Sequence, residues 1–317
     1  MLRGGAGDGA ATTLEPYPES VNYLTINCGR TIVALLPALA ASLGHVLWRA
    51  SARVTGALDG TVAPTTDIHG YAVLLALGDE GVPRSQQWVA DAVALSRTTL
   101  TKVAARLVAA GLVERVRNPA DRRAWALTRT PAGAEAVARW EPLVERLQDA
   151  VSGGLDSAER EELHDLLLAV TRPHLSPEAP SSLLASTGFL VTRLHARMHA
   201  DLAAALRELE VEPRHLGTFR ALRSAGPFPQ AELARHLGTS GPTVVEIVDH
   251  LERLGALERR RPEADRRTQV LHLLPRGEAL LTAADERAEA VISALLAPLS
   301  PDQRDRLRAL LVRFVEG

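Results

Sequence analysis

Between Ser96 and Lys102 the chain sets six polar side chains almost in a row: Ser96, Arg97, Thr98, Thr99, Thr101 and Lys102. Leu100, Val103 and Leu107 recur there at helical spacing. A helix beginning at this point buries those three and turns the polar set to solvent. Hydroxyls in that position can contact base edges or phosphates, and the planar fork of Arg97 can grip a guanine bidentately or pair with a phosphate. A second basic group follows at Arg115, Arg117 and Asp121-Arg122-Arg123. Catalytic patterns are missing: there is no phosphate-binding glycine loop, nucleophile elbow or paired-acid motif. The sequence therefore reads as a binding protein rather than an enzyme, with no cofactor. His195 and His199, four apart, read as surface residues rather than zinc ligands, and no metal site is expected.

These residues occur twice. Asp121-Arg122-Arg123 recurs 144 residues later as Asp265-Arg266-Arg267, and the same offset carries Pro131-x-Gly133 onto Pro275-x-Gly277 and Gly111 onto Gly255. It also carries Ser96-x-x-Thr99 onto Ser240-x-x-Thr243, Gly44 onto Gly188, Arg49 onto Arg193, and Leu166-Leu167 onto Leu310-Leu311. One slip, pairing Leu77 with Leu222, is undone before Gln86 meets Gln230, as a compensated loop change would leave it. The chain is a tandem duplication.

The elements that must position these groups are mostly helical. In the first copy an apolar stretch from about Thr31 to Leu58 reads as one long helix, and Asp67 can cap a second helix running to Gly78. Ser85 opens a short helix, Val93-Ala94-Leu95 makes a tight turn, and Ser96 caps a longer helix that Gly111 ends. Two strand-like runs, Leu112 to Val116 and Trp125 to Thr128, flank a turn at Asn118-Pro119-Ala120-Asp121. Pro131 starts another helix, with a kink expected at Pro142, and Asp156 or Ser157 caps the last. The second copy repeats this order. The fold class is mainly α with short β-hairpin wings: two winged helix-turn-helix domains with long flanking helices. Residues 1–30 read as a flexible N-terminal extension, 31–171 as the first domain, 172–181 as an extended Pro-rich linker, and 182–317 as the second domain.

Bulk composition narrows the class. Apolar residues make up 46% and charged residues 23% of 317, ordinary for a soluble globular protein, and no apolar run suits a membrane span. The first residues lack the pattern of a secretory signal. The lone cysteine, Cys28, rules out an intramolecular disulfide, so the cytoplasm is the expected compartment. A net charge of −2 means that any DNA-facing charge must be local.

The helix-turn-helix Gln86 to Ala110, the Gly111-Leu112-Val113 exit and the wing Asp121-Arg122-Arg123 with Leu127-Thr128 and Pro131-x-Gly133 resemble the MarR (multiple antibiotic resistance regulator) family. So do Gln230 to Leu254, Gly255-Ala256-Leu257, and Asp265-Arg266-Arg267 with Leu271, Pro275 and Gly277. The resemblance implies a transcriptional regulator, a repressor in the first instance, that binds a double-stranded DNA operator and responds to a small-molecule effector. It implies that Arg123 and Arg267 enter the minor groove, where arginine is favoured, with Asp121 and Asp265 holding each wing. Arg115, Arg117 and Arg122, with Arg259, Arg260, Arg261 and Arg266, would neutralise phosphates; the same arginines also read as solvated surface residues. Ser240 and Thr243 would take the places of Ser96 and Thr99. The second copy is the weaker reader: Gly241-Pro242 replaces Arg97-Thr98, and Glu246 replaces Lys102, a carboxylate that phosphates repel unless an arginine covers it.

For the effector, the family places small anionic aromatics between the long first helix, the second helix and the winged domain. His45, Trp48, Arg49 and Ala52 share a helix face, with Tyr71 on the next helix; the second copy offers Phe189, Arg193, His195 and His199 along the helix, with His215 and Phe219 nearby. The same residues also read as core aromatics and seam-pairing arginines. Cys28 resembles the thiol of the family's peroxide-sensing branch, but its neighbours Asn27 and Gly29 supply nothing to activate it, and it reads as a bystander. Family members are dimers of single-domain chains, so here one chain is expected to act as an intrachain pseudo-dimer. The alternative is a ligand- or protein-binding pseudo-dimer that has lost most DNA affinity.

Overall fold

The computed structural model describes residues 35–61, 68–78, 81–93, 95–118, 124–261 and 268–317. The N-terminal extension with Cys28, the capping Asp67 and both wing tips (Asp121, Arg122, Arg123, Asp265, Arg266 and Arg267) lie outside the described residues.

The first copy runs α1 (Pro37–Ala40), α2 (Leu43–Thr61), α3 (Ile68–Leu77), β1 (Arg84–Ser85), α4 (Gln86–Ala92), α5 (Arg97–Ala109), β2 (Val113–Arg117), β3 (Trp125–Arg129), α6 (Pro131–Val151) and α7 (Ser157–Thr171). The second runs α8 (Ser181–Leu184), α9 (Thr187–Leu206), α10 (Pro213–Ala225), β4 (Phe228–Pro229), α11 (Gln230–Leu237), α12 (Gly241–Arg253), β5 (Leu257–Arg260), β6 (Val270–Leu273), α13 (Pro275–Leu295) and α14 (Pro301–Glu316). Each copy carries one antiparallel sheet, in the orders β1-β3-β2 and β4-β6-β5. The short first strand pins the helix-turn-helix to the hairpin, with Ser85 opposite Ala126 and Phe228 opposite Leu271.

The helix boundaries follow local chemistry. Ser85 accepts from the Trp88 amide, Ser96 from Thr99, Thr130 from Gly133 and Asp156 from Glu159, each satisfying a first-turn donor that has no partner within its helix. Gly111, at φ +71°, adopts the left-handed geometry that ends α5, as Gly255 does after α12 at +65°. Two expectations are corrected. The long apolar stretch does not form one helix among the described residues: it breaks after Ala40 and resumes at Leu43, where the Ser42 hydroxyl accepts from the His45 amide. The linker is not extended either. Residues Arg172–His174 form a 3₁₀ turn, Arg172 donates to the Ser176 and Pro177 carbonyls at 2.8 and 2.9 Å, and Leu175 and Ala179 are buried. Pro142 sits inside α6 without ending it.

The two copies share one core. Helix α2 packs on α9, α14 on α2, and both α9 and α14 on α7. Leu47, Leu163, Leu167, Leu190, Leu194 and Phe314 are all almost fully buried in this zone. The long helices cross antiparallel, with equivalent contacts made twice. A methyl built on Gly44 would meet Met198 at 3.8 Å, and one on Gly188 would meet Val54 at 3.2 Å. Gly188 is the repeat equivalent of Gly44, and Met198 of Val54, so residue i meets j and j meets i, the signature of an isologous interface.

Candidate nucleic-acid interface

Helix α5 buries Leu100, Val103, Ala104 and Leu107 against its own module, which leaves Arg97, Thr98, Thr101 and Lys102 exposed. Ser96 and Thr99 are engaged at the cap: the Ser96 hydroxyl takes the Thr99 amide at 3.1 Å and lies 2.8 Å from the Thr99 hydroxyl. The Thr101 hydroxyl donates to the Arg97 carbonyl at 2.8 Å, so its methyl group remains for the solvent side. Arg97 donates to the side chain of Gln87 on α4, tying the two helices at the exposed end.

Helix α12 copies this frame with different chemistry. Ser240 caps through the Thr243 amide at 3.3 Å, with the two hydroxyls 2.9 Å apart. Val245 stands where Thr101 does and is 41% exposed. Glu246 stays exposed, with Arg214 of α10 reaching it at 3.5 Å while holding Glu212 at 2.7 Å.

In the first wing Arg115 and Arg117 are exposed. Arg117 pairs in register with Trp125, and its guanidinium lies 4.4 Å from the ring centroid. Trp125 is 47% exposed and was not singled out from the sequence; its place opposite Arg117 in strand alternation was the available signal. The second copy has Gln269 there. Arg260 and Arg261 are exposed, and Arg260 pairs with Glu258. Arg259 serves the fold: it bonds Asp249 and Glu252 of α12 and reaches Gln230 at 3.1 Å.

The residues grouped as an effector site separate along the seam. His45 lies on α2 against α10 of the other copy, with its ring 3.4 Å from the methyl position of Gly217 and 5.4 Å, centroid to centroid, from Trp48. Burial lowers His45 to about 3, reinforced by Arg49 and Arg220. Arg49 donates to the His236 carbonyl at 3.5 Å, and Arg193 to the Val93 carbonyl at 3.2 Å; Arg193 also lies 5.6 Å from the Phe189 ring. Tyr71 instead turns toward α6, where burial and then Glu141 and Glu145 push its hydroxyl up. His215 and Phe219 are fully buried, and His215 stacks on His250 at 4.7 Å and accepts the Glu212 amide at 3.0 Å. His195 is buried rather than a surface residue, because α9 is covered on several sides.

Comparison with known proteins matches both halves. The MarR family model matches residues 69–124 and 209–268. The HTH-type transcriptional repressor Rv2887 of Mycobacterium tuberculosis is 32% identical over 131 residues, 40% of this chain and 91% of that protein. A protein named for transcriptional regulation of the hcr operon in Thauera aromatica is 39% identical over 88 residues, 28% of this chain and 53% of its own length. Among solved structures, Bordetella bronchiseptica BpsR, described for regulation of its DNA binding by 6-hydroxynicotinic acid, aligns at 34% identity over 38% of this chain and 86% of its own, with a TM-score of 0.36. The repressor CouR bound to a 23-mer DNA duplex aligns at 29% identity over 39% and 88%, with a TM-score of 0.36. With the helix-turn-helix and hairpin built in both halves and a 32% identical relative spanned almost end to end, this chain belongs to the MarR family.

Proposed function

We propose that this chain is a DNA-binding transcriptional regulator, a repressor in the first instance, in which one polypeptide supplies both reading modules. The observation that carries the reading is the pair of capped recognition helices, α5 and α12, each exposing its outer face while the copies behind them share one core. Arg97, Thr98 and Lys102 on α5, with Arg115 and Arg117 on the first wing, form the stronger half. Thr101 and Val245 present methyl groups suited to thymine. Arg122, Arg123, Arg266 and Arg267, steadied by Asp121 and Asp265, serve the wing tips, and Arg260 and Arg261 serve the second backbone contact. The two helices would enter successive major grooves about 34–36 Å apart on a loosely palindromic site. The domains are 31–171 and 182–317, joined by 172–181. This short connection keeps each copy at a high effective concentration for the other, so the chain acts as an intrachain pseudo-dimer.

A small anionic aromatic effector completes the reading. Its support is a cation beside aromatic rings at the seam: Arg49 one turn after His45 and adjacent in sequence to Trp48, and Arg193 over Phe189. Genomic DNA selected by the purified chain and titrated at two salt concentrations tests the DNA reading. Specific fragments with steep salt dependence support it. Retention of no fragment at low salt overturns it in favour of a ligand- or protein-binding pseudo-dimer. Calorimetry against salicylate-like and phenolic acids tests the effector, with Arg49→Ala expected to blunt the response.

A further inference from the structure

Arg49 and Arg193 hold the same place in the two repeats, and each leaves its own copy. Arg193 of α9 donates from Nη1 to the carbonyl of Val93, the residue that caps the end of α4 in the first copy. Arg49 of α2 donates from Nη1 to the carbonyl of His236, in the last turn of α11 in the second copy. The second contact is closed by Gly238, the cap of α11 at φ +68°: a methyl built on it would stand 2.5 Å from the Arg49 guanidinium. The same kind of contact is therefore made twice with the copies exchanged, at carbonyls one repeat position apart.

The chemistry of the acceptor explains the choice of residue. The last carbonyls of a helix have no partner within it and carry the negative end of its dipole, so a cation donating there is matched in charge and hydrogen bonding. Burial lowers the pKa of Arg49, which places its contact largely out of water, where competition from solvent is weaker. The carbonyls gripped also sit at a sensitive point. Val93 opens the turn between α4 and α5, and His236 and Gly238 stand at the end of α11, where the turn to α12 begins. In each module the first helix packs on the recognition helix, so the angle of that turn sets the direction of the recognition helix.

We infer that Arg49 and Arg193 are positioning residues acting across the seam, each orienting the recognition helix of the copy to which it does not belong. Arg193 fixes α5, and Arg49 fixes α12. The long helices are then more than a pairing surface: a shift of α9 along α2 moves each arginine relative to the turn it holds and redirects both recognition helices together. This inference rests on the reading that α5 and α12 contact DNA.

The test looks for a crossed phenotype in the full chain. Hydroxyl-radical footprints on a selected operator are compared for Arg97→Ala, which marks the half-site read by α5, and for Arg193→Ala and Arg49→Ala. Arg193→Ala should weaken protection in the half-site marked by Arg97→Ala, and Arg49→Ala in the other, each by about three- to tenfold. Arg193→Lys, which keeps the cation, should recover most of the loss. Uniform loss in both half-sites, loss in the half-site of the arginine's own copy, or no change overturns the inference. Hydrogen exchange on the same variants supplies an arm independent of DNA. Arg193→Ala should speed exchange in the α4–α5 turn and leave the α11–α12 turn unchanged. The reverse pattern, an equal change in both turns or no change contradicts it. If the wild-type chain binds no DNA, the DNA reading fails while this exchange result still decides the inference.

Discussion

Glu162 and Arg306 occupy the same position in the two repeats and bind each other: Nη2 and Nε of Arg306 lie 2.7 and 2.9 Å from Glu162 Oε2. Equivalent positions meet only on the axis that relates two copies. In a pair of identical subunits each would face itself, carboxylate against carboxylate or guanidinium against guanidinium. Here the duplication has diverged to opposite charges, and Arg306 holds the Glu162 carboxyl below its ordinary range. Glu159, nearly buried, takes Arg313 from the same opposing helix. The first copy thus presents carboxylates and the second guanidiniums, a pattern that favours unlike halves.

Charge exchange tests this pairing. Glu162→Arg should lower the thermal midpoint by setting two guanidiniums against each other, and Glu162→Arg with Arg306→Glu should restore most of it. A double variant no more stable than the single one would show that the pair contributes no coupling.

The asymmetry of the two reading heads predicts unequal lesions. The first copy presents Arg97 and Lys102 where the second has Gly241 and Glu246. Arg123→Ala should therefore weaken operator binding more than Arg267→Ala, with a loss of about 1–3 kcal/mol typical of a groove contact. Equal losses, or a larger loss from Arg267→Ala in titrations at fixed salt, would contradict the assignment of the stronger half.

The Pro-x-Gly signature repeated at 131–133 and 275–277 has a steric basis. A methyl on Gly133 would stand 2.2 Å from the Leu112 carbonyl oxygen, and one on Gly277 would stand 2.1 Å from that of Ala256. Both obstacles are backbone atoms at the entry to a wing strand. Gly133→Ala and Gly277→Ala should each destabilise the chain by about 1–3 kcal/mol in urea unfolding. A neutral effect at either site would show that the strand entry can shift.

Much of this framework was readable from residue types. The capping serines, the glycines that end α5 and α12 and the alternating hairpins act through neighbours in sequence, so local pattern was enough to place them. The seam was not readable in the same way. Helical spacing put His45, Trp48 and Arg49 on one face of α2, but it carries no information on which copy that face meets, and Arg49 and Arg193 turned out to cross. Nor could spacing show that the Ser96 and Thr99 hydroxyls are engaged with each other, or that His195 lies inside a helix covered on several sides. The first is a contact three residues apart whose choice of hydroxyl partner the spacing leaves open, and the second depends on helices distant in the chain.

The buried histidines make stability depend on pH. Burial lowers His45, His195 and His215 from 6.5 to about 3. The unfolded chain binds protons at these rings as pH falls below 6.5, while the folded chain resists until about 3. Stability should accordingly be level above that window and fall through it, each ring steepening the fall by at most about 1.4 kcal/mol per pH unit. Unfolding free energies for His195→Leu from about pH 4 to 7 should show a shallower slope than wild type. An unchanged slope would mean that this ring is protonated in the folded chain.

The central claim, that one chain supplies both halves of the DNA-reading unit, is tested most directly by native mass spectrometry of the protein with a duplex carrying one selected operator. The account predicts a complex of one chain and one duplex across a range of protein concentrations. A complex requiring two chains per operator, with the terminal helices of one chain protected by the other, would contradict it.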